Sequence, residues 1–228
     1  MKMNKNKLLF LLFLIFILIT PRIYAASHED SLSIKINQRP LTLNPIFSSS
    51  SSETMITQQI FDSLLTYNEQ GELTANLAES WEINNDSTLF EFKLKKDVYF
   101  HPYKINGEEV VKENRKVTAE DWKWSLEYLA SPKNKSPYAD LLEKVKGYDS
   151  YRQQKNNHIA GIKVVGDYQL KIELKESYAP FIYNLLKNAA VVMPKEAVLN
   201  KNNKFSLAPV GTGPFQQESF SEKQLLLI

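Results

Sequence analysis

From Leu77 to Phe100 the chain reads LAESWEINNDSTLFEFKLKKDVYF. Phe90, Phe92, Leu94, Val98 and Phe100 fall on one face of the second arm, and Glu91, Lys93 and Lys95 fall on the other. Trp81 and Ile83 share a face of the first arm. A period of two leaves one dry face and one wet face, so this stretch predicts a half-buried β-hairpin. A second hairpin is predicted at about 159–175. There Ile162 and Val164 lead into a Gly166-Asp167 turn, and Tyr168, Leu170, Ile172 and Leu174 alternate with Gln169, Lys171, Glu173 and Lys175.

Helix signals lie between and around the hairpins. Ser50 and Glu53 have capping-box spacing, and Ile56, Ile60 and Leu64 continue an apolar stripe. Thr118 and Asp121 repeat the box, with Val117 and Trp122 as a hydrophobic staple and Leu126 and Leu129 on the same face. Ser136-Pro137 reads as a cap with proline at the first helical position, followed by Leu141, Val145 and Tyr148. A short helix is expected over 179–187, an apolar strand over 189–193, and a helix after Pro194. Ser31–Ile36 reads as a first strand, residues 101–116 as a polar excursion around Asn106-Gly107, and Val210–Phe215 as a turn into a last strand. Strands and helices mix without a βαβ repeat, so the expected class is α+β.

The N-terminus is not part of that fold. Lys2, Lys5 and Lys7 precede twelve unbroken apolar residues, Leu8–Ile19, and Pro21 and Ala25 follow. This is the pattern of a secretory signal peptide, with cleavage expected after Ala25. Residues 1–25 hold four basic residues and no acid, so removing them takes the formal charge from +2 to −2. The remaining chain offers no basic excess for nucleic acid. With no cysteine in the sequence, disulfides, thiol chemistry and a lipidated N-terminal cysteine are all excluded, which favours a periplasmic protein over a lipoprotein.

Chemistry-bearing motifs are few. His28, His101 and His158 share no ligand spacing, so no metal or cofactor is expected. Gly211-Thr212-Gly213 lacks the third glycine of a dinucleotide fingerprint, and Pro214 would break the helix such a loop needs. No nucleophile, base and orienter come together, so the chain is not expected to be an enzyme. Ser48–Ser52 stands before a helix N-terminus, where it suits either an anion or carbonyl ligand or a solvated loop. Trp124 and Tyr128 share a helix face that either covers a hairpin or lines a groove.

An ordered set of short motifs gives the chain a family resemblance. They are Leu43-Asn44-Pro45, Ile60-Phe61-Asp62-Ser63-Leu64-Leu65, Leu77-Ala78-Glu79-Ser80-Trp81-Glu82, Phe90–Lys95, Val117–Asp121, Ser136-Pro137-Tyr138-Ala139, Ala179-Pro180-Phe181 and Val210–Phe215. Over residues 32–215 the chain resembles the family 5 extracellular solute-binding proteins, the oligopeptide, dipeptide and nickel receptors of ABC importers. The His101-Pro102-Tyr103-Lys104 stretch departs from the family's short aspartate-glycine turn.

The resemblance implies a type II periplasmic-binding-protein-like clamp. Residues 26–61 and 186–228 would form part of lobe I, and 62–185 the small extra domain. The second lobe would follow the Gly211–Phe215 turn, so the chain is expected to be truncated and impaired in binding. The implied ligand is a peptide, held by main-chain groups of Ser49, Ser50 and Ser51 with Tyr138 near the cleft. The implied partners are inner-membrane permease subunits, with the chain as a monomer. Nickel, haem or sugar cargo, and a non-transport interaction role, remain as alternatives.

Overall fold

The computed structural model describes residues 32–202, 204–221 and 224–228. The expected signal segment lies outside them. The expected first strand lies partly inside, and there the structure differs. Residues 32–36 form no strand, and Leu32 and Ile34 are 85% and 62% exposed. Apolar alternation is not enough for a strand without a partner to complete its hydrogen-bond ladder.

The two predicted hairpins are real, and they merge. Ala78–Ile83 (β3) pairs with Leu89–Leu94 (β4), and Ile162–Val164 (β7) pairs with Gln169–Glu173 (β8). β4 also pairs antiparallel with β8, with Phe90 opposite Ile172 and Phe92 opposite Leu170. The result is one four-stranded antiparallel sheet in the order β3-β4-β8-β7. Its inner face carries Phe90, Phe92, Leu94, Leu170 and Ile172, all buried. Phe181, from the 3-10 turn Ala179–Leu186, meets Phe90 edge-on at 5.2 Å. The outer face is wet and charged. Glu91 pairs with Lys171, and Lys146 and Lys163 both reach Glu173, at 2.7 and 2.8 Å. These two lysines hold the Glu173 carboxyl down at about 2.

The first arm is less buried than its pattern implies. Trp81 and Ile83 lie opposite Phe92 and Phe90, yet Trp81 is half-buried and Ile83 is 37% exposed. β3 is an edge strand with a bulge between Ala78 and Ser80, so its dry face is covered from one side only.

Ser51–Ile60 (α1) is capped by Ser50 as expected, but it ends at Ile60, leaving Leu64 buried beyond it. A short hairpin of Leu65–Tyr67 (β1) and Leu73–Ala75 (β2) follows. The polar excursion at 101–116 contains a hairpin too, Tyr103–Ile105 (β5) with Glu108–Val111 (β6). Asn106 (φ 51°) and Gly107 (φ 85°) supply the two left-handed residues that such a tight turn needs.

Ala119–Ala130 (α2) lays Trp122, Leu126 and Leu129 into the core against β7 and β8. Asp121 reaches back to the Thr118 N–H (2.8 Å) and hydroxyl (3.0 Å). It also takes two bonds from Arg115, at 2.6 and 3.0 Å, while Arg115 Nε donates to Glu196 at 3.0 Å. This ties α2 to Lys195–Val198 (α4), which Pro194 opens.

The single helix expected after Ser136-Pro137 is instead a 3-10 turn, Ala139–Leu142, and a short helix, Tyr148–Arg152 (α3). Val145 leaves the helical path to bridge Leu174, and Gly147 takes φ 85°. The apolar run 189–193 is buried but makes only a bridge, Val191 with Ser63. Gln217–Phe220 (β9) and Leu225–Leu227 (β10) form the last hairpin. One hydrophobic core runs through residues 36–228, which form a single compact unit.

The Gly211-Thr212-Gly213 turn closes the open end of α1. Gly213 N–H donates to the Ile60 carbonyl at 2.8 Å and Phe215 N–H to the Gln59 carbonyl at 3.0 Å. These are two of the acceptors a helix C-terminus leaves unsatisfied. A Cβ at Gly211 would lie 2.0 Å from the Ile60 oxygen, and one at Gly213 would lie 2.5 Å from the Gln59 oxygen. Glycine is required here by close backbone approach. Gly211→Ala is expected to destabilise the fold by about 2–3 kcal/mol, because rigid backbone must move. Urea unfolding reads this directly, and an unchanged midpoint would contradict the capping role.

Candidate ligand-binding site

Everything around the serine run is organised by one carboxylate. Glu53, in the first turn of α1, is 4% exposed. Its Oε1 accepts the N–H groups of Leu41 (2.9 Å) and Thr42 (3.2 Å), and its Oε2 accepts those of Ser49 (2.9 Å) and Ser50 (3.0 Å). In return the Ser50 hydroxyl accepts the Glu53 N–H at 3.2 Å. Burial pushes this carboxyl up, but the four backbone donors outweigh it, and the group sits below its ordinary value.

The residues before the run are equally tied. Asn44 is buried, and its side chain accepts the Ile46 N–H at 3.3 Å. The Ser48 hydroxyl donates to the Asn44 carbonyl at 3.0 Å. Two contacts then cross ninety residues of sequence. The Ser136 hydroxyl donates to the Ile46 carbonyl at 2.7 Å, and the Tyr138 hydroxyl donates to the Ser48 carbonyl at 2.9 Å. Ser136 also accepts the Tyr138 N–H at 3.1 Å, which fixes the aromatic residue beside the loop.

The structure therefore brings Tyr138 and the serine run together and leaves specific backbone groups without partners. Ser50 is fully engaged, since its N–H goes to Glu53, its carbonyl accepts the Thr54 N–H, and its hydroxyl caps the helix. The Ser49 N–H is also taken. The Ser49 carbonyl and the Ser51 N–H meet no partner among the described residues, and both residues are exposed. A carbonyl and an N–H two residues apart can pair with the N–H and carbonyl of one residue in an adjacent extended chain.

Trp124 and Tyr128 stack at 5.0 Å with 20° between their planes, half-buried on the second face of α2. The Tyr128 hydroxyl interacts with the Asn44 side chain, so this pair packs beside the same loop, and burial raises its phenol. Sequence reasoning placed Glu53 only as a cap partner, Asn44 only within a family motif, Ser48 only within the serine run and Ser136 only as a helix cap, and did not foresee the bonds that join them. His101 has an unpartnered buried Nδ1, and the exposed His158 stands beside Glu127. Among the described residues no cluster could hold a metal ion.

Residues 72–227 match the profile of the bacterial extracellular solute-binding proteins, family 5 (middle region). The chain belongs to this family. Among curated relatives, the oligopeptide-binding protein SarA of Streptococcus gordonii is 28% identical over 81% of this chain and 28% of its own length. The periplasmic oligopeptide-binding protein OppA of Escherichia coli K12 is 29% identical over 64% of this chain and 25% of its own. The substrate-binding domain of an oligopeptide ABC transporter from Bacillus anthracis superposes with a TM-score of 0.74 at 22% identity, over 85% of this chain and 36% of that one. The fold is thus that of type II periplasmic binding proteins, in mixed α/β form. This family 5 chain spans about a third or less of the length of the proteins it matches. Family membership places it among solute-binding proteins rather than enzymes.

Glu53→Gln tests the organising role. A carboxyl held below its unfolded value contributes stability above about pH 4.5, and that contribution is lost as pH falls through the folded value. The variant should be less stable than the parent by about 1–3 kcal/mol at pH 7, and the gap should narrow at pH 3. Urea unfolding at both values checks it, and a gap independent of pH would contradict the account.

Proposed function

We propose that this chain is the substrate-binding component of an ABC importer and supplies one wall of a peptide-binding cleft. The observation that supports this reading is the Ser49 carbonyl and Ser51 N–H on exposed residues without partners among the described residues, in a loop that Glu53 fixes through Ser49 and Ser50 and that Tyr138 fastens through Ser48. A peptide would add as an extended strand, bonded through main chain so that its own side chains are tolerated broadly. The names of the relatives support peptide as the cargo. Such a receptor binds and hands over its ligand to membrane permease subunits without catalysis.

The remaining parts of the reading follow from the sequence. Residues 1–25 would direct export and be removed after Ala25, leaving an unlipidated periplasmic monomer. Residues 26–61 and 186–228 would serve as part of lobe I, and 62–185 as the small extra domain. The chain would cross between them at Asp62 and Leu186, where Ser63 bridges Val191.

One wall gives one set of main-chain bonds. Peptide binding by residues 26–228 alone should therefore be weak, with a dissociation constant of about 1 mM or weaker. Titration with a mixture of di- to pentapeptides, followed by backbone NMR, should shift Ser49 and Ser51. Absence of any shift there at millimolar peptide would overturn the site. Micromolar binding by calorimetry would overturn the single-wall account.

A further inference from the structure

His101 stands where two distant segments of the chain meet. Its backbone N–H donates to the Gly211 carbonyl at 3.0 Å. The Gln216 side-chain amide donates to the Pro102 carbonyl at 3.1 Å. Residues 100–102 are thereby stitched to residues 211–216. That same turn closes α1, through the bonds from Gly213 and Phe215 to the carbonyls of Ile60 and Gln59. His101 therefore backs the cap of the helix.

The imidazole is enclosed there. The residue is half-buried, and its Nδ1 is buried with no hydrogen-bond partner among the described residues. A neutral ring carries one N–H, so its other nitrogen stands as an acceptor. An imidazolium carries two N–H donors, and a buried donor or charge without a partner is costly. Burial accordingly pushes the ring below its ordinary value. The Gly213 backbone and the Asp62 carboxylate oppose this without cancelling it.

The charged groups around the ring are already committed. Asp62 accepts from Asn76 at 3.2 Å and from Thr212 at 3.0 Å. Residues 211–216 carry no ionisable side chain. On the other side Arg115 lies over the Phe100 ring at 5.4 Å, where Asp121 and Glu196 hold it, and its charge would repel an imidazolium. Tyr103, two residues on, has its phenol raised by burial and stays neutral at physiological pH.

We propose that His101 is an acid-sensitive latch on the fold. Neutral, it seats residues 100–102 against the Gly211–Gln216 turn. Protonated, it leaves this enclosure, and the turn releases the C-terminal end of α1. The sign follows from linkage. With the turn open, the ring titrates near its ordinary value of about 6.5, and with the turn closed it titrates lower. Closure is therefore fully favoured above the open-state value and is lost as pH falls through the closed-state value. Glu53, held below its ordinary value, is still ionised in that window.

The test is amide hydrogen exchange near pH 7.5 and near pH 5.5, corrected for intrinsic rates, in the parent and in His101→Gln, whose side chain takes no proton. In the parent, the amides of His101, Gly213 and Phe215 should lose about threefold to tenfold in protection at the lower pH. Tenfold is roughly the ceiling for one group that titrates near 6.5 when open. The variant should show no such loss, and amides of β4 and β8 should keep their protection in both proteins. A thermal midpoint near the parent's at the higher pH shows that the variant folds. NMR titration of the His101 ring in the parent gives a second reading that needs no variant, and it should fall below the ordinary value. Unchanged protection at the three amides, or the same loss in His101→Gln, overturns the proposal. So does a ring that titrates at or above its ordinary value, or a loss shared equally by β4 and β8, which would mean general acid unfolding.

Discussion

The buried carboxylate of Glu53 holds the start of this fold in place. A short polar loop cannot keep its shape unless its backbone groups find partners, and four N–H groups here find the same side chain. Leu41 and Thr42 approach from one direction, Ser49 and Ser50 from another, so the residues between them close into a loop over the first turn of α1. The helix N-terminus itself favours a negative charge there. One residue thereby caps a helix, closes a loop and selects which serine groups remain exposed. Tyr138 and Ser136 then fasten this loop to a distant part of the chain through its carbonyls.

The other end of α1 is held by the opposite polarity. Carbonyls of Gln59 and Ile60 receive N–H groups from the Gly213–Phe215 turn, and only glycine lets that backbone come so near. Thr212 adds a bond to Asp62, which also holds Asn76. A ten-residue helix with low apolar content is thus fixed at both ends by main-chain partners.

Much of this was legible because it is local. The capping boxes at Ser50 and Thr118, the alternation of Phe90, Phe92 and Leu94, and the turn at Gly166 depend on spacing within a few residues. The ordered motifs also carried the family, which the profile match confirms. What stayed hidden depends on contacts distant in sequence. Nothing in either hairpin announces that β4 and β8 pair, since both present the same kind of edge. Tyr138 and Ser48 meet across ninety positions. The stripe Leu141, Val145, Tyr148 fits a helix, but Val145 is recruited by Leu174 in the sheet, and tertiary pairing overrides the local period. The hairpin at 103–111 was missed for a different reason, because its strands are only three and four residues long and carry no sustained alternation.

The central claim is that Glu53 preorganises the serine loop for a ligand's main chain. Amide hydrogen exchange at Ser49 and Ser50 tests it most directly, in the parent and in Glu53→Gln at neutral pH. The account predicts strong protection at both amides in the parent and its loss in the variant, while amides in the last turn of α1 stay protected. Equal exchange at Ser49 and Ser50 in the two proteins would contradict it.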